Sequence, residues 1–519
     1  MVSDEVFKCQ DKLINKSVPS FEKFKPTERN FMDVLTENIL KLLIKGKKLE
    51  ASEIVVDYIK KDNYFFALRD DKKEELWMYK NGIYVPEGKS YIKEFCRNLL
   101  GSVYNSRFFN LVADKIVVDN YISHEEFFNS DSCEEMPVLN GILDLKTKEL
   151  KPFTPKKIFF TKINAEYDPK KECKNVKKFF KDVLDPKDVP AIQELFGFCL
   201  WKDNFTETSF LFRGGGSNGK SKTFDILKTF LNPENCVSVP LSQLEDAGSF
   251  KIVELQNKLL NIAGELSKNA LKETDVFKSL TGRDSITADR KFLRPVTFVN
   301  FSKMVFNCND RPPTYDMSDG FFRRWIVFHF RNKFVSEDVY NSLKDKTGYG
   351  VKDKDIVKKI ISPDELSGVL NWALEGLHRL LGNKEFSNTK STDETRLEWL
   401  EDSNNFAVFF ERNMCVSRNH LVSKEDVRGV YSGFCENNGF DPVSDKAILW
   451  YMQSKGVSSS RRTKDFGNNS DQVSCFVGCR FKQDKVDTRG WSNPLTETEI
   501  SARKDVESFK NNIKEEDVL

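Results

Sequence analysis

A run of glycines between an apolar segment and a helical pattern constrains the fold of this chain more than any other feature. The run is Gly214-Gly215-Gly216-Ser217-Asn218-Gly219-Lys220-Ser221, preceded by Phe210-Leu211-Phe212 and followed by a helical pattern from Lys222. It satisfies the pattern G-x-x-x-x-G-K-[ST] in the strand–loop–helix setting that the pattern requires. The glycines let backbone N–H groups surround phosphates, and the helix N-terminus adds its positive end. We therefore predict a phosphate-binding loop, with Lys220 at the β- and γ-phosphates and the Ser221 hydroxyl on Mg²⁺.

Five short apolar segments alternate with helical patterns around this loop. They are Ser209 to Phe212, Cys236 to Val239, Leu259 to Ala263, Met304 to Cys308 and Trp325 to Phe330. Near-continuous hydrophobicity in such segments indicates a parallel sheet that is covered on both faces. The prediction is an α/β fold with a parallel-sheet ATPase core. Upstream of it, the apolar segment Leu76 to Tyr79 and the Asn81-Gly82 turn predict a β-hairpin.

The composition narrows the class of protein. The chain has 519 residues, which is enough for roughly two to four domains. Its 81 Lys and Arg against 79 Asp and Glu exclude a protein that holds nucleic acid through bulk positive charge. No apolar run approaches the ~18 residues of a membrane span, and the N-terminus lacks a signal-peptide pattern. The odd number of cysteines, 11, favours reduced thiols and a cytoplasmic or other intracellular protein.

Polar residues that flank three of the apolar segments are candidates for catalysis. Glu265 follows the third segment, where a carboxylate would polarise the attacking water and help to hold the metal, although an ordinary exposed glutamate is the alternative. Asn309 follows the fourth segment and would orient that water or sense the γ-phosphate; alternatively, it is a turn former before prolines. Arg323 and Arg324 precede the fifth segment, either as a surface pair or as an arginine finger for a neighbouring subunit's site.

These motifs together resemble the superfamily 3 (AAA+) helicases, in particular the helicase half of phage, plasmid and large-DNA-virus primase–helicases. The matching segments are Asn218 to Ser221, the strand ending at Glu265, Lys278 to Asp284 with Ile286 to Arg290, Asn309 with Pro312, and Asp319 to Trp325. They occur in the order and with the compact spacing of that family. Residues 59–200 resemble the domain that precedes such helicases, and residues 400–482 resemble their winged-helix end.

The resemblance implies an ATP-dependent DNA helicase and assigns roles to the residues already named. These roles are nucleotide binding from Gly214 to Lys222, catalysis by Lys220, Glu265 and Asn309, and Mg²⁺ binding by Ser221 and Glu265. Arg324 is the better match to the arginine finger because it directly precedes the strand, and Arg323 is the alternative. The family also implies 3′-to-5′ travel, although nothing in these residues fixes the polarity.

Helicases of this family carry, between their second and third motifs, a hairpin whose tip projects into the central channel of a ring. Here the corresponding segment contains Arg290, Lys291, Phe292 and Arg294. Cations around an aromatic side chain suit a tip that grips phosphates and stacks a base. A solvated basic turn with Phe292 packed inside is the alternative.

A second basic segment follows a candidate recognition helix, Asp445 to Lys455. It contains Arg461, Arg462 and Lys464 and no acidic residue. In a winged helix this segment would form the first strand and the base of the wing, which suits contact with duplex DNA. A merely solvated hairpin is the alternative.

Two cysteines near the end of this region, Cys475 and Cys479, do not indicate a zinc site. With Val473, Val477 and Phe481 they alternate along a predicted strand, so we expect all five to share one buried face. No second Cys/His pair at ligand spacing accompanies them.

We therefore predict a ring-forming, hexameric replicative DNA helicase of a virus, plasmid or integrated element. The predicted segments are a helical extension (1–58), an α+β domain (59–200), the AAA+ helicase domain (201–382), a linker (383–399), a winged-helix-like domain (400–482) and a charged tail (483–519). The partners are single-stranded and duplex DNA, further copies of the chain, and a separate primase or polymerase, because no primase fold is evident. An AAA+ origin-binding initiator that uses ATP as an assembly switch is the alternative. A small-molecule kinase would leave the winged helix unexplained.

Overall fold

A computed structural model describes most of the chain between residues 26 and 482. The described residues are 26–69, 74–244, 249–266, 271, 273–291, 295–309, 311–312, 314, 316–387, 389–403, 405–438, 440–466 and 469–482. They form two compact units. The N-terminal unit comprises the described residues up to Ser132 together with Lys151–Lys162, and the core unit comprises Cys133–Leu150 and the described residues from Ile163 onward.

The N-terminal unit packs helices against a small sheet. Its elements are α1 (Pro26–Ile44), α2 (Lys48–Asp62), β1 (Phe65–Leu68), β2 (Leu76–Lys80), β3 (Ile83–Val85), α3 (Gly88–Leu100), α4 (Ser106–Asp119), β4 (Tyr121–Ile122) and α5 (His124–Phe128). The strand order is β3–β2–β1–β4. Asn81 and Gly82 join β2 to β3 with φ angles of 50° and 99°, as a two-residue hairpin turn requires. The hairpin predicted here is confirmed.

The core unit alternates strands with helices. The elements from residue 135 to residue 383 are β5 (Glu135–Val138), β6 (Gly141–Asp144), β7 (Leu150–Lys151), α6 (Lys174–Val183), α7 (Val189–Phe198), β8 (Ser209–Arg213), α8 (Lys220–Leu231), β9 (Cys236–Val237), β10 (Leu260–Glu265), α9 (Asp275–Thr281), β11 (Ser285–Ala288), β12 (Val296–Val299), β13 (Lys303–Cys308), α10 (Asp319–Phe322), β14 (Trp325–His329), β15 (Lys333–Val335), α11 (Glu337–Ser342), β16 (Tyr349–Val351), α12 (Ile356–Ile360) and α13 (Pro363–Asn383).

A five-stranded sheet with the order β14–β8–β13–β10–β9 lies at the centre of this unit. All of its pairings are parallel, and its strands lie within or close to the five predicted apolar segments. Phe210 and Phe212 belong to one apolar cluster and Leu211 to another, so both faces are covered, as predicted. Because the strands are parallel, all of their C-terminal ends lie at one edge, the carboxyl edge, and their N-terminal ends lie at the opposite amino edge.

A buried lysine fastens the amino edge. Lys303 at the start of β13 is 1% exposed, and its Nζ donates to the carbonyl oxygens of Asp203 at 3.0 Å and Phe301 at 2.9 Å and to Asn204 Oδ1 at 2.8 Å. The Phe198 ring centre lies 3.9 Å from Nζ. Burial lowers the pKa of Lys303 to about 7. Three oxygen acceptors use all three ammonium hydrogens, so this lysine is a structural tie.

The C-terminal part of the core unit adds a second, antiparallel sheet. Its elements are α14 (Thr392–Ser403), α15 (Asn405–Asn413), β17 (Met414–Ser423), α16 (Lys424–Asn438), α17 (Asp445–Ser454), β18 (Ser458–Phe466) and β19 (Asn469–Phe481). The strand order is β17–β19–β18. The predicted linker 383–399 overlaps the beginning of α14, whose Trp399 is fully buried. That part of the segment is therefore packed into the core.

The prediction for the cysteine-bearing strand is wrong in one respect. Phe476 packs into the same apolar cluster as Cys479 and Phe481, whereas Cys475 is buried outside that cluster. Gly478 has a φ of 103°, which interrupts the regular alternation of side chains. The five alternating residues therefore do not share one face. Among the described residues, no group of three His, Cys, Asp or Glu side chains is arranged to hold a metal ion.

Candidate phosphate-binding site

The glycine-rich loop, Gly214–Ser221, connects β8 to α8 at the carboxyl edge of the central sheet. Two of its glycines have no room for a side chain. A Cβ atom on Gly214 would lie 2.4 Å from the carbonyl oxygen of Phe330, and one on Gly219 would lie 2.7 Å from Cγ1 of Val183. Gly219 also has a φ of 97°, a conformation that glycine adopts most readily. The loop is thus held between α6 and the residues that follow β14.

Lys220 reaches from the loop to the neighbouring strand. Its side chain is largely buried, and Nζ donates to the carbonyl oxygens of Gly214 and of Cys308 (3.3 Å) and to Asn309 Oδ1 (3.2 Å). The ammonium group and the amide predicted to act at the γ-phosphate therefore lie in direct contact. Ser221, the next residue, is exposed at the start of α8.

The other predicted catalytic residue ends the next strand of the sheet. β13 lies between β8 and β10, so Asn309 lies between the glycine-rich loop and Glu265. Glu265 pairs with Asn307 across a register shift that follows Ala263. The structure describes only the backbone of Glu265, which lies at the carboxyl edge together with the glycine-rich loop and Asn309.

A cleft of about 500 Å³ opens beside the second half of the loop. Its apolar lining consists of Phe179, Val183, Phe334, Val351 and Ile356. The backbone N–H of Phe334 donates to the carbonyl oxygen of Ser217 at 2.7 Å, which joins β15 to the loop. The cleft therefore offers apolar walls next to the predicted phosphate site, as a nucleotide base requires. Sequence reasoning missed these walls, because they come from separate segments with no shared motif.

A second pocket, of about 510 Å³, borders the first half of the loop and is rich in arginine. Arg213, Arg311 and His329 line it together with the Glu398 carboxylate from α14. Glu398 Oε2 accepts from Arg311 Nη2 at 3.0 Å and lies 3.8 Å from His329 Nε2. His329, together with Lys390 and Arg311, holds the pKa of Glu398 well below its usual range. Helix α14 thus supplies a carboxylate to the surroundings of the loop.

The arginine pair, Arg323 and Arg324, lies at the amino edge, directly before β14. Both side chains contact the Glu207 carboxylate, Arg323 at 2.5 Å and Arg324 at 3.1 Å. Arg324 also donates to Thr281 Oγ1 at 3.0 Å and to the carbonyl oxygen of Gly320. Burial lowers the pKa of Arg324. The side chain of Arg324 is 9% exposed and that of Arg323 is 54% exposed, so Arg323 is the more accessible of the two.

Within one chain, the arginine pair and the glycine-rich loop are too far apart to contact the same nucleotide. β14 has five residues, and at ~3.3 Å per residue it separates them by about 16 Å. An arginine at the amino edge therefore cannot reach a nucleotide at the carboxyl edge of its own sheet.

The candidate DNA contacts lie on two hairpins. β11 and β12 are antiparallel, and Arg290 and Lys291 follow β11 at the hairpin's end, while Phe292 and Arg294 lie outside the described residues. On β18, Arg461 is exposed and Arg462 is partly exposed, and only the backbone of Lys464 is described. β18 pairs with β19 in antiparallel register.

Within the part of the chain that the structure describes, no helix is both long and apolar enough to span a membrane.

Two family models match parts of the chain. Residues 25–185 match the model described as "D5 N terminal like". Residues 212–324, which include the glycine-rich loop and the arginine pair, match the model described as "Family of unknown function (DUF5906)".

Similar proteins are known from a giant virus and among solved structures. The protein named "Putative helicase L207/L206" of Acanthamoeba polyphaga mimivirus is 27% identical over 365 residues, which are 65% of this chain and 36% of that protein. This chain therefore spans little more than a third of that relative. Two apo structures of the NrS-1 C-terminal region each cover 81% of this chain and 97% of their own, with 13% and 15% identity and TM-scores of 0.41 and 0.38. The match to the D5 N-terminal model and the mimivirus relative confirm the resemblance of this chain to viral proteins of the helicase type, and its placement in superfamily 3 stays a prediction.

Proposed function

We propose that the chain is an ATP-dependent DNA helicase whose nucleotide binds at the glycine-rich loop. The observation that carries this proposal is the 3.2 Å contact between Lys220 Nζ and Asn309 Oδ1. It brings two predicted catalytic residues from separate motifs to one point. In this proposal the backbone of residues 214–219 binds the phosphates, Lys220 leaves its backbone acceptors for the β- and γ-phosphates, and the base enters the apolar cleft of about 500 Å³.

The residues present fit an Mg²⁺ ion that arrives with the nucleotide. The Ser221 hydroxyl is exposed at the end of the loop, and the described residues contain no preassembled cluster of three acidic, His or Cys ligands. Ser221, with Glu265 as the second predicted ligand, would hold the ion. Bound there, Mg²⁺ would neutralise part of the negative charge of the phosphates.

Hydrolysis in this proposal uses residues from two copies of the chain. Glu265 polarises the attacking water, and Asn309 orients it or senses the γ-phosphate. Because the arginine pair lies about 16 Å from its own loop, it acts on the nucleotide of an adjacent copy. This arrangement supports a homo-oligomer with the nucleotide between subunits, and a hexameric ring is the form that the resemblance implies.

DNA contact in this proposal is local. The β11–β12 hairpin carries Arg290 and Lys291 next to its tip and would grip one strand, and β18 carries Arg461 and Arg462 for duplex contact. The name of the mimivirus relative supports the helicase assignment, and a role in replication follows from the family that the chain resembles.

The test compares ATP hydrolysis with and without single-stranded DNA, and measures the mass of the protein with and without nucleotide. We expect DNA to stimulate hydrolysis, nucleotide to favour an oligomer, and Lys220→Ala to abolish hydrolysis. A strict monomer without DNA stimulation would contradict the helicase. Nucleotide-dependent assembly without turnover would instead favour the initiator. A Lys291→Ala/Arg294→Ala variant that unwinds duplex at the wild-type rate would remove the hairpin from the mechanism.

A further inference from the structure

One buried arginine, Arg396 on α14, contacts three separate parts of the core unit. Its side chain is 8% exposed. Nη1 donates to Asp393 Oδ1 at 2.7 Å, and Nη2 donates to the carboxylate of Asp319 on α10. The guanidinium carbon lies 5.3 Å from the ring centre of Phe322 and 5.4 Å from that of Trp450, within the range of a cation–π contact. Arg396 therefore holds α10, α14 and α17 together.

The α10 side of this contact leads directly to the arginine pair. α10 comprises Asp319–Phe322, and Arg323 and Arg324 are the next two residues. The Arg324 guanidinium also donates to the carbonyl oxygen of Gly320 within this turn. A displacement of α10 would therefore move the arginine pair with it.

The α17 side leads to the C-terminal part of the core unit. Ala447 of α17 belongs to the apolar cluster that contains Trp399, and Trp450 packs against the same cluster. A pocket of about 380 Å³ between α14 and α17 is lined by Asp393, Glu394, Leu397, Trp450, Gln453 and Ser454. The helix that the sequence suggested for reading a DNA groove therefore turns this face toward α14.

We propose that Arg396 is a positioning residue that couples the C-terminal part, which carries Arg461 and Arg462, to the arginine pair. The proposal rests on the function proposed above. DNA held at β18 would act on α17, and the Trp450 ring would transmit the change through the Arg396 guanidinium to Asp319 and Phe322. The rate at which the arginine pair completes a neighbouring site would then depend on DNA.

The experiment measures kcat and KM for ATP with and without DNA for wild-type protein, Arg396→Gln and Arg396→Lys. We expect Arg396→Gln to reduce the DNA stimulation of kcat by about fivefold or more, the size of a modest coupling between sites. Nucleotide affinity, measured with a fluorescent ATP analogue, should stay unchanged, because Arg396 does not touch the glycine-rich loop. Arg396→Lys keeps the charge but loses the planar stack, so its stimulation should lie between the other two.

Two further variants separate coupling from simple loss of stability. Trp450→Leu removes the other half of the contact and should reduce DNA stimulation as Arg396→Gln does, and the two changes combined should not add. Arg428→Gln is the matched control, because it removes a surface arginine–aspartate pair with Asp445 of α17 and leaves α10 and α14 untouched. It should retain wild-type stimulation.

The outcomes distinguish the two proposals. Wild-type protein without DNA-stimulated hydrolysis would overturn the helicase function and, with it, this role of Arg396. Stimulated wild-type protein together with an equally stimulated Arg396→Gln variant would overturn the role of Arg396 alone. A decrease in stimulation in Arg428→Gln equal to that in Arg396→Gln would also overturn it, because the effect would then not be specific to the contact.

Discussion

Gly219 is one of the two glycines in the glycine-rich loop that leave no room for a side chain. It combines a φ of 97° with a Cβ position 2.7 Å from Val183 Cγ1. We predict that Gly219→Ala lowers the free energy of unfolding by about 1–3 kcal/mol, because alanine is strained at this φ and must also displace α6. Urea denaturation of the two proteins measures the difference.

Gly216 provides the control for this substitution within the same loop. A Cβ atom on Gly216 would meet no heavy atom within 4 Å, so Gly216→Ala should change the free energy of unfolding by less than about 0.5 kcal/mol. Equal destabilisation by both substitutions would contradict the steric explanation.

At the residue scale, the motif residues were the predictable ones. Lys220 and Asn309 belong to patterns that fix chemistry by residue type and spacing, and the structure places them in contact. Lys303 shows what a pattern does not reveal. Its three oxygen partners come from Asp203, Asn204 and Phe301, and only the folded backbone makes a buried ammonium group acceptable there.

Among the elements, α14 contributes most that the sequence did not indicate. Its Trp399 is fully buried, packs against the rings of Phe321 and Trp325, and donates from Nε1 to the carbonyl oxygen of Pro312 at 2.8 Å. We predict that Trp399→Ala lowers the free energy of unfolding by about 3–5 kcal/mol, the usual cost of a large core cavity. Chemical denaturation measures it.

An exposed apolar residue of the core unit serves as the comparison. Val339 on α11 is 46% exposed, and Val339→Ala should change stability by no more than about 0.5 kcal/mol. If Trp399→Ala were equally mild, α14 would be a peripheral helix and its links to the arginine pair would lose their importance.

The strands of the central sheet were predictable because each is a short run of apolar residues that both faces of the sheet bury. Helix α14 was not predictable from the sequence, because it lies in a polar stretch without an apolar stripe. Trp399 and the contacts of two buried arginines, Arg396 and Arg311, hold it in place instead. The prediction that alternate residues of β19 share one face was wrong for a local reason. Gly478 interrupts the alternation, and residue types alone do not show on which strand a bulge forms. Periodicity thus identified the elements, and their contacts had to come from the structure.

For the molecule as a whole, the near balance of 81 basic and 79 acidic residues limits how DNA is held. Because each chain is expected to make only a few contacts with DNA phosphates, the affinity for DNA should depend on salt concentration through those contacts alone. We predict that an Arg461→Ala/Arg462→Ala variant lowers the slope of log affinity against log salt by up to about 1.8, at ~0.9 for each phosphate that the variant no longer neutralises. Fluorescence anisotropy with duplex DNA over a series of KCl concentrations measures this slope.

A variant with the same change in charge at another place controls for bulk electrostatics. Lys47 and Lys80 lie on the N-terminal unit, each paired with a glutamate, and Lys47→Ala/Lys80→Ala should leave the slope unchanged. The same decrease in both double variants would mean that net charge, and not the β18 contact, determines binding.

The glycine-rich loop and the arginine pair lie near opposite ends of β14, and this separation has a genetic consequence. One chain cannot bring its glycine-rich loop and its arginine pair to the same nucleotide, so each working site in the proposed assembly is shared by two gene products. A copy with Lys220 replaced would still enter the ring and would leave one inactive site in it. Such an allele would be dominant over the wild type. Co-expression of this allele with a second allele, altered only at the arginine pair, should restore activity at some sites. In those sites the second product supplies an intact glycine-rich loop, and the Lys220 variant supplies intact arginines.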